Sequence, residues 1–395
     1  FVLLSRNDAK FYDIDLKPID KKTKTIEWNA SSAEKDGYDD YMLKEIYEQP
    51  TAIRETIGSK LTENGKCDFE DLDFSKEYLE SLNKIYIIAC GTAMHAGLAA
   101  KNSIEKLCKI PTEVDIASEF RYRDPIVDEK TLCIFISQSG ETADTIAALK
   151  LSKEKGAKTL AISNVIGSSI TREADYSIYT HAGPEIAVAS TTAYTSQVVL
   201  LVLLSIYFAG LLGIDNSEIK ELKKEILELP KKIEETLKTS QIVKDFSKEV
   251  YQEKDIFFLG RGIDETVAKE GSMKLKEISY IHSESYAAGE LKHGPIALIE
   301  NGVTVVSIMT DSKLVEKTIS NIQEVVTRGA KTLIITNQDI DDSRFDMVIH
   351  IPSTSPFISP ILSIIPLQLF SYYISKEKGL DVDKPRNLAK SVTVE

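Results

Sequence analysis

The chain has 395 residues, 43% of them hydrophobic, and a formal net charge of −13. That length predicts two or three domains, and the apolar content is ample for packed cores. The acidic balance argues against nucleic acid as a partner, although a local nest of backbone N–H groups can still hold an anion in an acidic protein.

Residues 1–30 alternate apolar and polar in short pieces (Phe1-Val-Leu-Leu4, Lys10 to Leu16, Thr25-Ile-Glu-Trp28), which predicts a few strands, too few for a core. Residues 31–42 read as a polar linker. A helix follows from Tyr41 with Pro50 near its end, and a second is predicted over Ala52 to Leu61. From Leu82 the texture changes. Ile85-Tyr-Ile-Ile-Ala89 is a short continuous apolar run, the form of a buried parallel strand. Cys90-Gly-Thr-Ala93 and a helix from His95 to Leu107 come next. Further strands are predicted over 113–116, 131–136, 158–163 and 176–179, with Ser137-Gln-Ser-Gly-Glu-Thr142 opening a helix after the third. The run Val198 to Leu212 is interrupted by Ser205, Tyr207 and Gly210, so it reads as a core helix and not a bilayer span. A charged helical connector broken by Pro230 leads to Glu253. The pattern then restarts with a strand over 255–259, a Gly260-Arg-Gly262 turn, a helix through Lys274 and Glu277, a strand over 302–309 and a helix to Arg328.

The restart is a repeat. Gly156-Ala-Lys-Thr-Leu-Ala-Ile-Ser-Asn164 recurs as Gly329-Ala-Lys-Thr-Leu-Ile-Ile-Thr-Asn337, 173 residues on, and Cys90-Gly91 aligns with Arg261-Gly262 at 171. Strands alternating with helices, twice over, predict an α/β protein of two tandem three-layer α/β/α domains with parallel sheets. The expected organisation is residues 1–40 as a remnant and linker, 41–213 and 214–380 as the two domains, and 381–395 as a tail.

The cysteines, Cys67, Cys90, Cys108 and Cys133, contain no CxxC pair, and the five histidines have no HExxH spacing. Neither a zinc site nor a disulfide framework is expected, and a reducing, cytoplasmic setting fits. No signal peptide is visible, and a chain beginning at Phe1 is expected to be a fragment or a processed product.

The two repeats differ where chemistry would sit. The first carries Ser137-Gln138-Ser139-Gly140-Glu141-Thr142 at the end of its third strand, while the second carries Thr310-Asp-Ser-Lys313. Three hydroxyls, an amide and a helix start form a neutral cradle for a phosphate at the carboxyl end of a parallel strand; an ordinary N-capped helix has the same residue types. Neither GxxxxGK nor GxGxxG is present, so a phosphorylated small molecule fits better than a nucleotide. The second repeat carries Lys274 and Glu277 on one helix face; the counterparts in the first are Ser103 and Lys106, with no carboxylate. An amine and a carboxylate in that spacing form either a surface pair or a proton-transfer pair whose pKa values burial would tune. Anion binding in one repeat and a carboxylate in the other suit an enzyme that moves a proton between adjacent carbons of a sugar phosphate.

These residues, with Ala117-Ser-Glu-Phe-Arg-Tyr-Arg123, Lys274-Leu-Lys-Glu-Ile-Ser279, Ala287-Ala-Gly-Glu-Leu-Lys-His-Gly-Pro295 and the tail Asp381-Val-Asp-Lys-Pro-Arg-Asn-Leu-Ala-Lys-Ser-Val-Thr-Val-Glu395, resemble the isomerase part of the glucosamine-6-phosphate synthases, which has two sugar isomerase (SIS) domains in tandem. The resemblance covers about residues 40–395. It implies that Ser137, Gln138, Ser139 and Thr142 bind the phosphate of fructose 6-phosphate, with Thr92 beside them. Glu277 would be the base working between C1 and C2, assisted by Lys274. His293 would open the sugar ring from the partner subunit of a homodimer. Lys390 would reach the ketone and could form a Schiff base there, and Val188 and Ala389 would add backbone contacts. No cofactor, metal, nucleic acid or membrane is implied. Two positions depart from the family: Ala93 replaces a serine and Thr192 a lysine. Residues 1–30 resemble the last strands of a glutaminase domain without its nucleophilic cysteine, so the chain is expected to isomerise sugar phosphate and not to hydrolyse glutamine. A sugar-phosphate-sensing regulator built from the same domains is the alternative.

Overall fold

The computed structural model describes residues 1–21 and 34–394. They form two units, Phe1–Glu34 and Lys35–Glu395. The first holds an antiparallel sheet of β1 (Val2–Leu4), β2 (Ala9–Tyr12) and β3 (Pro18–Ile19), in that order. Its strand residues Val2, Leu3 and Leu4 are exposed, as expected of three short strands without a core. The strand predicted at Thr25 to Trp28 lies outside the described residues.

The second unit begins with α1 (Tyr41–Ile57) and α2 (Lys76–Ser81), followed by β4 (Lys84–Ala89), α3 (Gly91–Cys108), β5 (Thr112–Ile116), α4 (Ala117–Tyr122), β6 (Thr131–Ile136), α5 (Ala143–Glu154), β7 (Lys158–Ser163), α6 (Ser169–Glu173), β8 (Tyr176–Tyr179) and α7 (Thr192–Leu211). It continues through α8 (Ser217–Leu237), α9 (Ser240–Val250), β9 (Asp255–Gly260), α10 (Ile263–Ser279), β10 (His282–Ala287), β11 (Thr304–Met309), α11 (Val315–Val326), β12 (Lys331–Thr336), β13 (Met347–His350) and α12 (Ser359–Glu377), and ends in a tail without regular structure. Two five-stranded sheets result, ordered β5-β4-β6-β7-β8 and β10-β9-β11-β12-β13, and every pairing in them is parallel. The matching orders are the repeat made visible.

The apolar strand runs follow from burial on both faces. Ile85 and Ile87 of β4 enter a core shared with α3, α7, α10 and α12, while Tyr86 and Ile88 pack outward against residues of α4, α5 and α6. The shared core also takes Ile256 and Phe258 of β9, so the four central helices join the two sheets. α7 is long and apolar enough to cross a membrane by length and composition, but 89% of its apolar window is buried inside the fold, as its interrupted sequence predicts.

Several expectations need correction. Pro50 does not end a helix: α1 runs unbroken from Tyr41 to Ile57, and the second helix predicted over 52–61 is its continuation plus a 3-10 turn at Gly58–Lys60. A proline inside a helix leaves the carbonyl four residues back without its N–H donor. Here the Gln49 side chain donates to Ile46 O at 3.0 Å and fills that vacancy. Pro230 likewise sits inside a continuous α8 and not at a break. β10 was not anticipated because His282–Ala287 is polar; it is the edge strand beside β9, where one side faces outward. β13 and α12 complete the second half beyond the predicted elements.

Candidate active site

In both sheets the strand order reverses direction next to the first strand of the half, and open α/β sheets bind ligands at the carboxyl ends of strands flanking such a point. In the first half these ends carry Cys90-Gly-Thr92 after β4 and Ser137–Thr142 after β6. Ser137 Oγ lies 2.9 Å from Thr142 Oγ1 and accepts Gly140 N–H at 3.0 Å; Ser139 Oγ accepts Glu141 N–H at 3.2 Å. The turn is tight by necessity. Gly140 has φ +69°, and a Cβ there would stand 2.1 Å from Ser168 Oγ. Gln138 anchors the loop through its carbonyl, which accepts Asn164 N–H at 3.1 Å.

The tail closes over this loop. Ser391 Oγ is 3.0 Å from Ser139 Oγ, and Val392 O accepts Ala143 N–H, at the start of α5, at 3.1 Å. Further back, Asp383 caps α1 by accepting Tyr41 N–H at 3.0 Å and Met42 N–H at 2.8 Å, while its own carbonyl accepts Val188 N–H at 3.0 Å.

The charged centre lies on α10. Lys274, 1% exposed, pairs with Glu277 Oε2 at 2.5 Å and with Glu270 Oε1 at 3.6 Å. Burial alone would lower the lysine pKa, but Glu277, Glu270 and Glu185 outweigh it and the pKa is raised, so Lys274 carries its charge. Glu277 Oε2 makes no well-formed hydrogen bond; the contact with Lys274 is one of charge, and the side chain keeps 21% exposure. Glu270 is fully buried and accepts Thr92 Oγ1–H at 3.0 Å and pairs with His95 Nδ1 at 2.7 Å. Thus two side chains of α3 tie into the α10 charge cluster.

The tail lysine joins a second cluster. Lys390 Nζ donates to Glu185 Oε2 at 2.5 Å and to Ala187 O at 2.8 Å. Glu185 Oε1 accepts Thr191 N–H, Thr192 Oγ1–H and Ala193 N–H at 2.8–3.0 Å. Burial opposes the charge on Glu185, but Lys390 and these donors hold its carboxyl below the ordinary range. Because Glu185 also bears on the charge of Lys274, the two clusters adjoin.

The second half explains why it lacks a cradle. Asp264 on α10, the counterpart of Ala93 at the 171-residue offset, turns its carboxylate into the end of β11. There it accepts Thr310 N–H at 2.8 Å, Thr310 Oγ1–H at 2.5 Å and Asp311 N–H at 3.4 Å. The second half fills this turn with its own carboxylate, where the first half has Ala93 at the equivalent position. Gly260 allows the approach, since a Cβ there would stand 2.3 Å from the Asp264 carbonyl carbon.

Lys274 and Glu277 therefore stand together, Ser137, Ser139 and Thr142 form one turn, and Lys390 reaches inward to Glu185. Thr92 does not turn to the hydroxyl loop as expected; packing of α10 against the start of α3 gives its hydroxyl to Glu270. His293 lies exposed in the turn after β10, and Ala389 is exposed on the tail. Val188 meets the tail through its N–H. The residues missed from sequence are Glu185, Glu270 and His95. Glu270 was within reach, since Glu270, Lys274 and Glu277 at i, i+4 and i+7 share one helix face; the others are joined only by tertiary packing.

Two parallel sheets with one winding, a hydroxyl-rich turn at the first and a lysine–carboxylate pair at the second define the class. The chain belongs to the SIS domain family, whose model matches residues 78–207 and 249–375. Among curated relatives it is 55% identical over 400 residues to a glutamine–fructose-6-phosphate aminotransferase [isomerizing] of Clostridium perfringens, covering 100% of this chain and 66% of that protein. It is 56% identical over 398 residues to the protein of that name from Clostridium tetani, again covering 100% of this chain and 66% of that protein. The chain thus spans just under two thirds of the length of these relatives. Among solved structures, the C-terminal domain of glucosamine-fructose-6-phosphate aminotransferase from Francisella tularensis matches with a TM-score of 0.85 and 41% identity, over 89% of this chain and 100% of that one. A glucosamine-6-phosphate deaminase from Thermotoga maritima, at 23% identity and TM-score 0.71 over 89% of this chain and 99% of that one, shares the fold.

Proposed function

We propose that this chain is the isomerase part of a glutamine–fructose-6-phosphate aminotransferase, converting fructose 6-phosphate, with ammonia supplied by a glutaminase domain, to glucosamine 6-phosphate. The observation that carries the reading is the buried Lys274 ammonium 2.5 Å from the Glu277 carboxylate, adjoining the Glu185–Lys390 pair. Ser137, Gln138, Ser139 and Thr142 bind the phosphate, replacing the tail's contacts with Ser139 and Ala143. Glu277 takes the proton from one of C1 and C2 and returns it to the other. Lys274 stabilises the negative charge that grows on the sugar oxygen, a role for a cation that burial keeps free of competing water. Lys390 engages the ketone at C2, and Val188 and Ala389 line the sugar through their backbones. The exposed position of His293 suits its delivery to the site of a partner subunit in a homodimer, where it opens the ring. The setting is cytoplasmic, with no cofactor.

The test is turnover of fructose 6-phosphate to glucose 6-phosphate by this chain, read by coupled oxidation of the product, alongside calorimetric binding of the sugar phosphate. Turnover supports the enzyme. Binding without turnover favours the regulator built from the same domains and overturns the proposal.

A further inference from the structure

Beyond the charge clusters described above, one buried carboxylate on α1 touches the Glu185 turn with one oxygen left without a hydrogen-bond partner. Glu45, on α1, is 3% exposed. Its Oε1 accepts Ile186 N–H at 2.5 Å and Ala187 N–H at 3.0 Å, the two residues that follow Glu185. Its Oε2 is buried without a hydrogen-bond partner. Lys390 bonds to the same short turn, at Glu185 Oε2 and Ala187 O. Glu45 and Lys390 therefore hold the same peptide segment, Glu45 through its N–H groups and Lys390 through the Ala187 carbonyl.

We infer that Glu45 is a positioning residue that, by accepting the Ile186 and Ala187 N–H groups, holds the 185–187 turn in the conformation that receives the Lys390 ammonium. Oε1 needs only to act as an acceptor for the two N–H groups, which a neutral carboxyl does as well as a carboxylate. Two carboxyl groups flank the turn, and the neighbouring tail cation contacts Glu185 and not Glu45. A second buried negative charge without a counter-ion would be costly, and holding a proton removes that cost. Burial, then the charge on Glu185, push the Glu45 carboxyl upward and outweigh the Ala187 and Ile186 N–H groups and the Lys390 charge, which act the other way. One oxygen then works as a carbonyl-type acceptor for two N–H groups, which leaves the peptide correctly aimed. The catalytic importance of the arrangement rests on the proposed role of Lys390 above; the positioning itself does not.

The test reads Lys390 directly. Intact chain is acetylated with a trace of sulfo-N-hydroxysuccinimide acetate, and the rate at Lys390 is measured by peptide mass mapping against that at Lys224, which is exposed on α8. In Glu45→Ala and Glu45→Asp, which cannot span the distance to both N–H groups, the relative rate at Lys390 rises about tenfold, the effect of losing a buried hydrogen-bonded anchor. In Glu45→Gln, which keeps a carbonyl-type acceptor of the same length and no charge, the rate stays within about twofold of the wild type. The Glu45→Asp and Glu45→Gln pair decides the matter if the alanine variant does not fold. An unchanged rate in Glu45→Asp, or a rate in Glu45→Gln as high as in Glu45→Asp, overturns the inference. With fructose 6-phosphate, kcat falls in Glu45→Asp while KM moves little, and Glu45→Gln restores kcat. A wild-type chain without turnover but with these labelling rates would sink the proposed function and leave the positioning role standing.

Discussion

Lys274 and Glu277 lie one helical turn apart on α10 and meet at 2.5 Å, with the ammonium 1% exposed and the carboxylate 21% exposed. The lysine is locked in the interior between two carboxylates, while one of those carboxylates keeps an edge open to a ligand. That inequality fits the proposed roles, in which the buried cation is a fixed electrostatic group and Glu277 exchanges a proton with the bound sugar.

Glu277→Gln is accordingly expected to reduce isomerisation by about 10²- to 10⁴-fold, the usual worth of a positioned proton-transfer group. Sugar-phosphate affinity measured by calorimetry should stay within a small factor, because the proposed phosphate-binding turn, 137–142, follows β6 in the first half. Wild-type turnover in this variant would remove Glu277 from the chemistry.

Lys274→Met leaves Glu270 with no exposure and only His95 and Thr92 as partners. Removing one partner of a buried pair costs about 3–5 kcal/mol. The variant should therefore unfold at distinctly lower urea concentration as well as lose activity. Lys274→Met with Glu270→Gln should recover much of that stability without recovering turnover. If the single variant unfolds at the wild-type urea midpoint, the buried pair does not bear on stability.

Asp264 gives a pH signature away from the active residues. Burial raises its pKa to about 6 against the combined effect of the Thr310 and Asp311 donors. A carboxyl raised in the folded state contributes stability that is fully present below its unfolded value near 3.8 and is lost as pH climbs through about 6. The wild type should thus gain up to about 3 kcal/mol from this group between pH 7 and pH 4, and Asp264→Asn should lack that component. Identical pH dependence of the two urea midpoints would contradict it.

Gly140→Ala places a methyl 2.1 Å from Ser168 Oγ at a φ of +69°, so both the contact and the backbone resist it. The expected cost is about 1–3 kcal/mol in stability, with a raised KM because the 137–142 turn must shift. A normal KM in a folded variant would show that the turn does not hold the sugar phosphate.

How much of this was legible beforehand depends on the range of the interaction. The inner strands were, because a parallel strand covered on both faces must be apolar throughout, and Ile85 to Ala89 or Thr131 to Ile136 say so locally, whereas the polar edge strand β10 was not. The repeat was legible because two copies of one unit keep one spacing. The Lys274–Glu277 pair was visible as a helical interval. Proline rules misled at Pro50, since the compensating Gln49 side chain acts through its folded geometry. The meeting of His95 and Thr92 with Glu270, the seating of Asp264 in the second half's donor loop and the grip of Glu45 on the Glu185 turn join residues 46 to 178 positions apart. By itself the sequence determined the inner strands, the repeated winding and the local candidate groups, because those follow from periodicity and local propensity. Only the tertiary structure decided which charges are buried together, because burial and pairing of charge arise when the helices pack between the two sheets and exclude water.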